Sequence, residues 1–171
     1  MIALILPAAG RAYRSRMIQI PSGTPGEPPY RTVALAPDPD AASLARTLVA
    51  DACMVWQLPG LLHPARRVMS ELVLNAVEHA ATALVVTVTR HGDGLHLAVS
   101  DGDPRLPRLR MMARVRRGVP LDERGRGLQL VQAAATRWGA DRTATGKTVW
   151  AVLLPKPARQ PRPTIGAMPV P

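Results

Sequence analysis

The stretch "ELVLNAVEHA", residues 71–80, sets Glu71, Asn75, Glu78 and His79 into an otherwise apolar run. Carboxylate, amide and imidazole groups can take up protons, hold a hard cation through oxygen, or orient a nucleophile. On a helix turning about 100° per residue, Asn75 lies about 40° from Glu71, Glu78 about 20° to its other side and His79 about 80° away. All four share one flank. The solvated side of an ordinary amphipathic helix has the same pattern, so only groups facing this flank can separate a site from a wet surface.

A second set of candidates lies in residues 101–127, "DGDPRLPRLRMMARVRRGVPLDERGRG". It opens with Asp101 at the end of a β-like run, carries eight arginines from Arg105 to Arg126, and closes on Gly125-Arg126-Gly127 ahead of a helical pattern. A connection of this length without regular structure is uncommon inside a compact domain, and is usually a lid, a binding loop or disordered. Glycines at a helix start let the backbone approach a ligand, and the first free amides of a helix favour an anion such as phosphate. A lone Gly-x-Gly is a weak signal, and an arginine-rich loop equally suits a solvated or nucleic-acid-facing surface.

The elements that must position these groups follow from periodicity. "RTVALAP" is a short β-like run, and Asp38-Pro39 after it are the acidic cap and first-turn proline that start a helix. Leu44, Ala45, Leu48, Val49, Ala52, Val55 and Trp56 recur at three- and four-residue spacing as one helical face, and "LPG" at 58–60 breaks that helix. A second helix is predicted over about 62–80, burying Ala65, Val68, Met69, Leu72, Val73 and Ala76. "ALVVTVTR" and "LHLAVSD" flank "HGDG", where Asp93-Gly94 signals an antiparallel hairpin. "GLQLVQAAATRWG" reads as a third helix stopped by Gly139, and "TVWAVLLP" as a last strand. The order strand, two helices, hairpin, loop, helix, strand predicts an α+β fold: a two-layer sandwich with helices on one face of a mixed, mostly antiparallel sheet.

Composition bounds the rest. A chain of 171 residues is long enough for one domain with a real core and short for two. With 3% aromatic residues and no Phe, that core must be aliphatic. No apolar run approaches the roughly 18 residues that span a bilayer. The opening "MIALILPAAG" lacks the basic residues that precede the apolar core of a secretion signal, which points to a cytoplasmic protein. Cys53, the single cysteine, sits in a helical pattern and reads as a buried thiol. The formal charge of +10 raises nucleic acid as a partner. Only Lys147 and Lys156 among the 22 basic residues are lysines, however, and such an arginine skew with 18 prolines has the look of GC-rich coding. "IPSGTPGEPPY" and "PKPARQPRPTIGAMPVP" cannot form regular elements. Residues 1–30 are thus expected to be a disordered leader, 31–155 the folded domain, and 156–171 a disordered proline-rich tail.

Taken in order, the E-x-x-x-N-A-x-x-H helix, the Asp at a strand end, the Gly-x-Gly opening a helix, and "GKTVW" leading into the final strand resemble a known family. It is the ATP-binding domain shared by histidine kinases, DNA gyrase, the ninety-kilodalton heat-shock chaperone and MutL, known for the Bergerat fold. "ELVLNAVEHA", "DGDPRLP", "GRGLQLV" and "RWGA" look most like the anti-sigma-factor serine/threonine kinases typified by RsbW and SpoIIAB in actinobacteria. The resemblance implies ATP and Mg²⁺ as cofactors, a sigma factor and an anti-anti-sigma (STAS-type) antagonist as partners, and a possible homodimer. It implies that Asn75 holds Mg²⁺ through its amide oxygen and that Glu71 acts as general base or orients the attacking hydroxyl. Asp101 would accept a hydrogen bond from the adenine amino group, Gly125 and Gly127 would present amides to the phosphates, and Thr148 would help to hold adenine. His79 matches the motif in a supporting role and is not a phospho-acceptor. One departure stands out: the family's Asp-x-Gly reads Asp101-Gly102-Asp103. A non-catalytic nucleotide- or protein-binding module, and a basic nucleic-acid-binding protein, are the alternatives.

Overall fold

The structure, a computed structural model, describes residues 29–107 and 127–156. The strands are β1 (Tyr30–Leu35), β2 (Leu84–His91), β3 (Gly94–Asp101), β4 (Arg137–Thr143) and β5 (Gly146–Leu153). They form one sheet in the order β1-β2-β3-β5-β4, with every pairing antiparallel. The helices are α1 (Ala41–Val55), α2 (Leu62–His79) and α3 (Gly127–Ala134), with a single turn of 3-10 helix at Pro59–Leu61 between the first two.

Strand alternation decides which face is covered. Leu84, Val86 and Val88 of β2, Leu95, Leu97 and Val99 of β3, and Val149, Ala151 and Leu153 of β5 are buried against the helices. Their neighbours Thr87, His96, Ser100, Thr148 and Trp150 are only half-buried, on the opposite face. The result is the two-layer α+β sandwich the sequence predicts, with an aliphatic core in which each fully buried Leu or Val contributes about 1.5–3 kcal/mol of transfer free energy.

Helix α2 buries Ala65, Val68, Met69, Leu72, Val73 and Ala76, the six positions expected from spacing alone. Helix α1 departs from its expected face at two positions, since Leu44 is 37% and Val55 57% exposed while Ala41, Ala42 and Cys53 take the core instead. Asp38 caps α1 from ahead of it: its Oδ1 accepts the amides of Asp40 and Ala41, both at 3.0 Å. The helix ends in a left-handed turn at Gln57, φ 57°, where the amide of Leu58 donates to the carbonyl of Cys53 at 2.8 Å. The hairpin turn sits one residue earlier than its Asp-Gly signal. His91 pairs with Gly94, and Gly92, φ 58°, takes the first position of the two-residue loop.

The third helix is shorter than expected and corrects the reading of Gly139. Helix α3 ends at Ala134, and residues 137–143 form β4, a strand that periodicity missed. Gly139 does not stop a helix. It lies opposite Trp150 in the β4–β5 ladder, and a Cβ there would fall 2.7 Å from Trp150 Cζ2. The indole covers the glycine, and Trp150 Nε1 donates across the ladder to Asp141 Oδ2 of β4 at 2.7 Å. The leader expected at 1–30 and the tail expected at 156–171 lie almost wholly outside the described residues, as do residues 108–126 of the arginine-rich connection.

Gly139→Val is expected to destabilise the domain by about 1–3 kcal/mol in denaturant unfolding despite the higher strand propensity of valine, because the new side chain meets the Trp150 ring. Replacing Trp150 with Ala in the same chain should remove most of that penalty.

Candidate functional site

Helix α2 runs with its apolar side in the core, which leaves Glu71 and Asn75 half-buried on one flank and Glu78 and His79 exposed at its end. Helix α3 begins beside that flank. A Cβ on Gly127 would lie 2.8 Å from Glu71 Oε2, which places the start of α3 directly against the carboxylate; a larger residue there would push that side chain aside. Val131, fully buried, anchors α3 to the core.

At the end of β3, Asp101 falls on the helix-facing side of the sheet by the same alternation that buries Leu95, Leu97 and Val99. It is 6% exposed. Its Oδ1 accepts the amide of Asp103 at 2.9 Å and the ammonium of Lys147 at 2.9 Å. Its Oδ2 is buried and has no hydrogen-bond partner. A buried carboxylate oxygen without a donor is costly, on the order of 1–3 kcal/mol, and such exceptions in a folded protein call for an explanation. A ligand N–H would relieve it.

Lys147, directly across the β3–β5 ladder from Asp101, is as buried as the core leucines. It also donates to the carbonyl of Asp103 at 3.1 Å and stands 3.8 Å from Asp103 Oδ2. Asp103 in turn is gripped by Arg105, whose Nε lies 3.0 Å from both carboxylate oxygens and whose amide donates to Oδ1. These hydrogen bonds from Arg105, with Lys147 as a smaller contribution, hold the Asp103 carboxyl down at about 2. Arg105 Nη2 also reaches the carbonyl of His79 at 3.4 Å, at the end of α2. A second tie joins the same regions, from the amide of Gly102 to Thr82 Oγ1 at 2.8 Å, just past Ala81 in a left-handed conformation at φ 49°. The strand end carrying Asp101 and the helix carrying Glu71 and Asn75 are thus fastened to each other.

Of the residues singled out from sequence, Glu71 and Gly127 are brought together, Asn75 is one turn along the same flank, and Asp101 sits at the buried strand end. Thr148 is not brought to Asp101. One position past Lys147, it points to the opposite face of the sheet, where its hydroxyl is 2.7 Å from that of Ser100. His79 joins the network through its backbone carbonyl, its side chain being exposed. Gly125 and the arginines of residues 108–126 lie outside the described residues. Lys147 was missed, although a signal existed: it shares the parity of Val149, Ala151 and Leu153 and therefore had to face inward. Cys53 is free and buried, and burial pushes its thiol above the usual value, which leaves it chemically quiet.

The donor set fits a nucleotide with magnesium in part. Among the described residues there is no group of three or more His, Cys, Asp or Glu that could hold a metal unaided. A single amide oxygen at Asn75 suits a cation whose other ligands are phosphate oxygens and water.

Comparison with known proteins points the same way. The family described as histidine kinase-, DNA gyrase B-, and HSP90-like ATPase matches residues 61–158, more than half of the chain. Among solved structures, one similar chain is that of the RsbU and RsbW domains of Rv1364c from Mycobacterium tuberculosis. It shows a TM-score of 0.53 and 20% identity over 77% of this chain. This chain spans about a third of that protein's length, 34%, and the likeness is one of fold. No curated protein matches. No helix among the described residues is long and apolar enough to cross a membrane.

Because the folded carboxyl of Asp103 lies below its ordinary value, its contribution to stability is present above about pH 4 and is lost as pH falls through about 2. An NMR titration should place the Asp103 midpoint near 2 in the wild type, and Arg105→Ala should move it upward.

Proposed function

As this chain belongs to the family of histidine kinase-, DNA gyrase B- and HSP90-like ATPases, we propose that it is an ATP-binding regulatory kinase of the anti-sigma type. The observation that carries the reading is the unpartnered, buried Oδ2 of Asp101 at the end of β3, whose following turn is tied through Arg105 to the end of α2. An acceptor in that position selects a base bearing an N–H, and adenine has one in its exocyclic amino group.

The remaining groups then take roles suited to phosphoryl transfer, which asks for positioning and charge neutralisation more than covalent chemistry. The amides at the start of α3, near Gly127, face phosphate. Asn75 would hold magnesium, which neutralises charge on the phosphates when bound. Glu71 lies beside Gly127 and accepts the proton of an incoming serine or threonine hydroxyl. The hydroxyl oxygen bonds to the γ-phosphorus, the bond from that phosphorus to the bridging oxygen breaks, and ADP leaves. The half-burial of Glu71 keeps it open to an incoming side chain.

The substrate in this reading is an anti-anti-sigma antagonist, and the other partner a sigma factor. Supporting it are the sequence resemblance to anti-sigma kinases and the fold shared with a chain that contains an RsbW domain. The protein is placed in the cytoplasm, where sigma factors act.

Incubation with labelled ATP, Mg²⁺ and the antagonist should give phosphorylated Ser or Thr on the antagonist. Glu71→Gln should cut the transfer rate by about 10²–10⁴-fold while leaving ATP affinity within about threefold. Asn75→Ala should weaken binding of ATP in magnesium and have little effect without it. Nucleotide binding with no transfer to any antagonist would reduce the protein to a non-catalytic binding module.

A further inference from the structure

Lys147 is the most unusual buried group among the described residues. Its side chain is 2% exposed, and a buried ammonium is tolerated only when paired and fully hydrogen-bonded. Its ammonium donates to Asp101 Oδ1 at 2.9 Å and to the Asp103 carbonyl at 3.1 Å, and is ion-paired with Asp103 Oδ2 at 3.8 Å. All three partners lie on the last residue of β3 or in the turn that follows it. The ammonium is thus turned toward residues 101 and 103, while one acceptor of Asp101 is left over.

We propose that Lys147 is a positioning residue that sets base preference: by engaging Asp101 Oδ1 it fixes the carboxylate so that Oδ2 alone is offered, and the site takes 6-aminopurine nucleotides over 6-oxopurine ones. The inference rests on the nucleotide reading of the same site. A 6-amino group donates to Oδ2. A 6-oxo group turns a lone pair toward a carboxylate oxygen, and the Lys147 ammonium beside it is already paired with residues 101 and 103. Without Lys147 only the Asp103 amide still holds Asp101 Oδ1, so the carboxylate is less firmly fixed, and the turn at 101–103 loses its anchor to β5. Asp103 belongs to the same arrangement, since its carbonyl and carboxylate complete the cage around the ammonium.

The test is calorimetric titration of the full chain with ATP and with ITP, which differ at the 6-position. Wild type should bind ATP about tenfold or more tightly than ITP. Lys147→Met should weaken ATP by about tenfold and leave ITP within about threefold, so that the ratio approaches one. In an Asp101→Asn background, Lys147→Met should change the ratio no further, because Lys147 acts through Asp101. An unchanged ratio in Lys147→Met overturns the proposal, and so does tighter ATP binding, which would make Lys147 a plug. Wild type that binds neither nucleotide overturns the ATP reading and this inference together; wild type that prefers ATP with a ratio indifferent to Lys147 overturns this inference alone. Should Lys147→Met fail to fold, the wild-type ammonium can be read directly by ¹⁵N NMR, Lys156→Arg assigning the two lysines. The Lys147 signal should stay protected from solvent when ATP is added, and its loss on ATP addition overturns the proposal.

Discussion

The register between β3 and β5 is the constraint from which the site follows. It sets Asp101 opposite Lys147 and Ser100 opposite Thr148. Two charged residues thereby enter the helix-facing side at the end of the sheet, and two hydroxyls close the other side. A slip of β5 by one residue would turn Lys147 to the open face and leave Asp101 on the helix side without its partner. The aliphatic rows Leu95, Leu97, Val99 and Val149, Ala151, Leu153 hold the register, because any slip would expose them.

Helix α2 does two jobs with one sequence. Its apolar side supplies a large share of the core, and that burial makes the helix a rigid support for the groups on its flank. Glu71 and Asn75 are kept half-exposed by the same rotation that buries Leu72 and Ala76. At its end, Arg105 and Thr82 tie the helix and the residues just after it to the turn after β3, so Asp101 and the α2 flank are fastened to each other. The acidic residue in place of the family's glycine is part of this fastening, since Asp103 holds both Arg105 and Lys147.

Much of this was legible in the sequence, and what was not has definite causes. The span and buried face of α2, the hairpin, and the strand-end position of Asp101 follow from periods of 3.6 and 2. Strand β4 did not. "ATRWG" continues an apolar helical pattern and ends in a glycine, and nothing local reveals that the glycine is small to admit the ring of Trp150, eleven residues on. Thr148 and Lys147 show the cost of a single position. The motif drew attention to the hydroxyl, but strand parity sends it to the far face and brings the lysine in. The pairing of Lys147 with Asp101 depends on which strands are neighbours, and β3 beside β5 is a tertiary fact.

The central claim is that the buried end of β3, the α2 flank and the start of α3 form one nucleotide site. Mapping backbone amide shifts on titration with ATP and Mg²⁺ tests it most directly. The account predicts that the largest changes cluster at Asp101, Gly102, Asn75 and Gly127, with Lys147 among them. Changes centred instead on Thr148, Trp150 and His96, on the opposite face of the sheet, would contradict it.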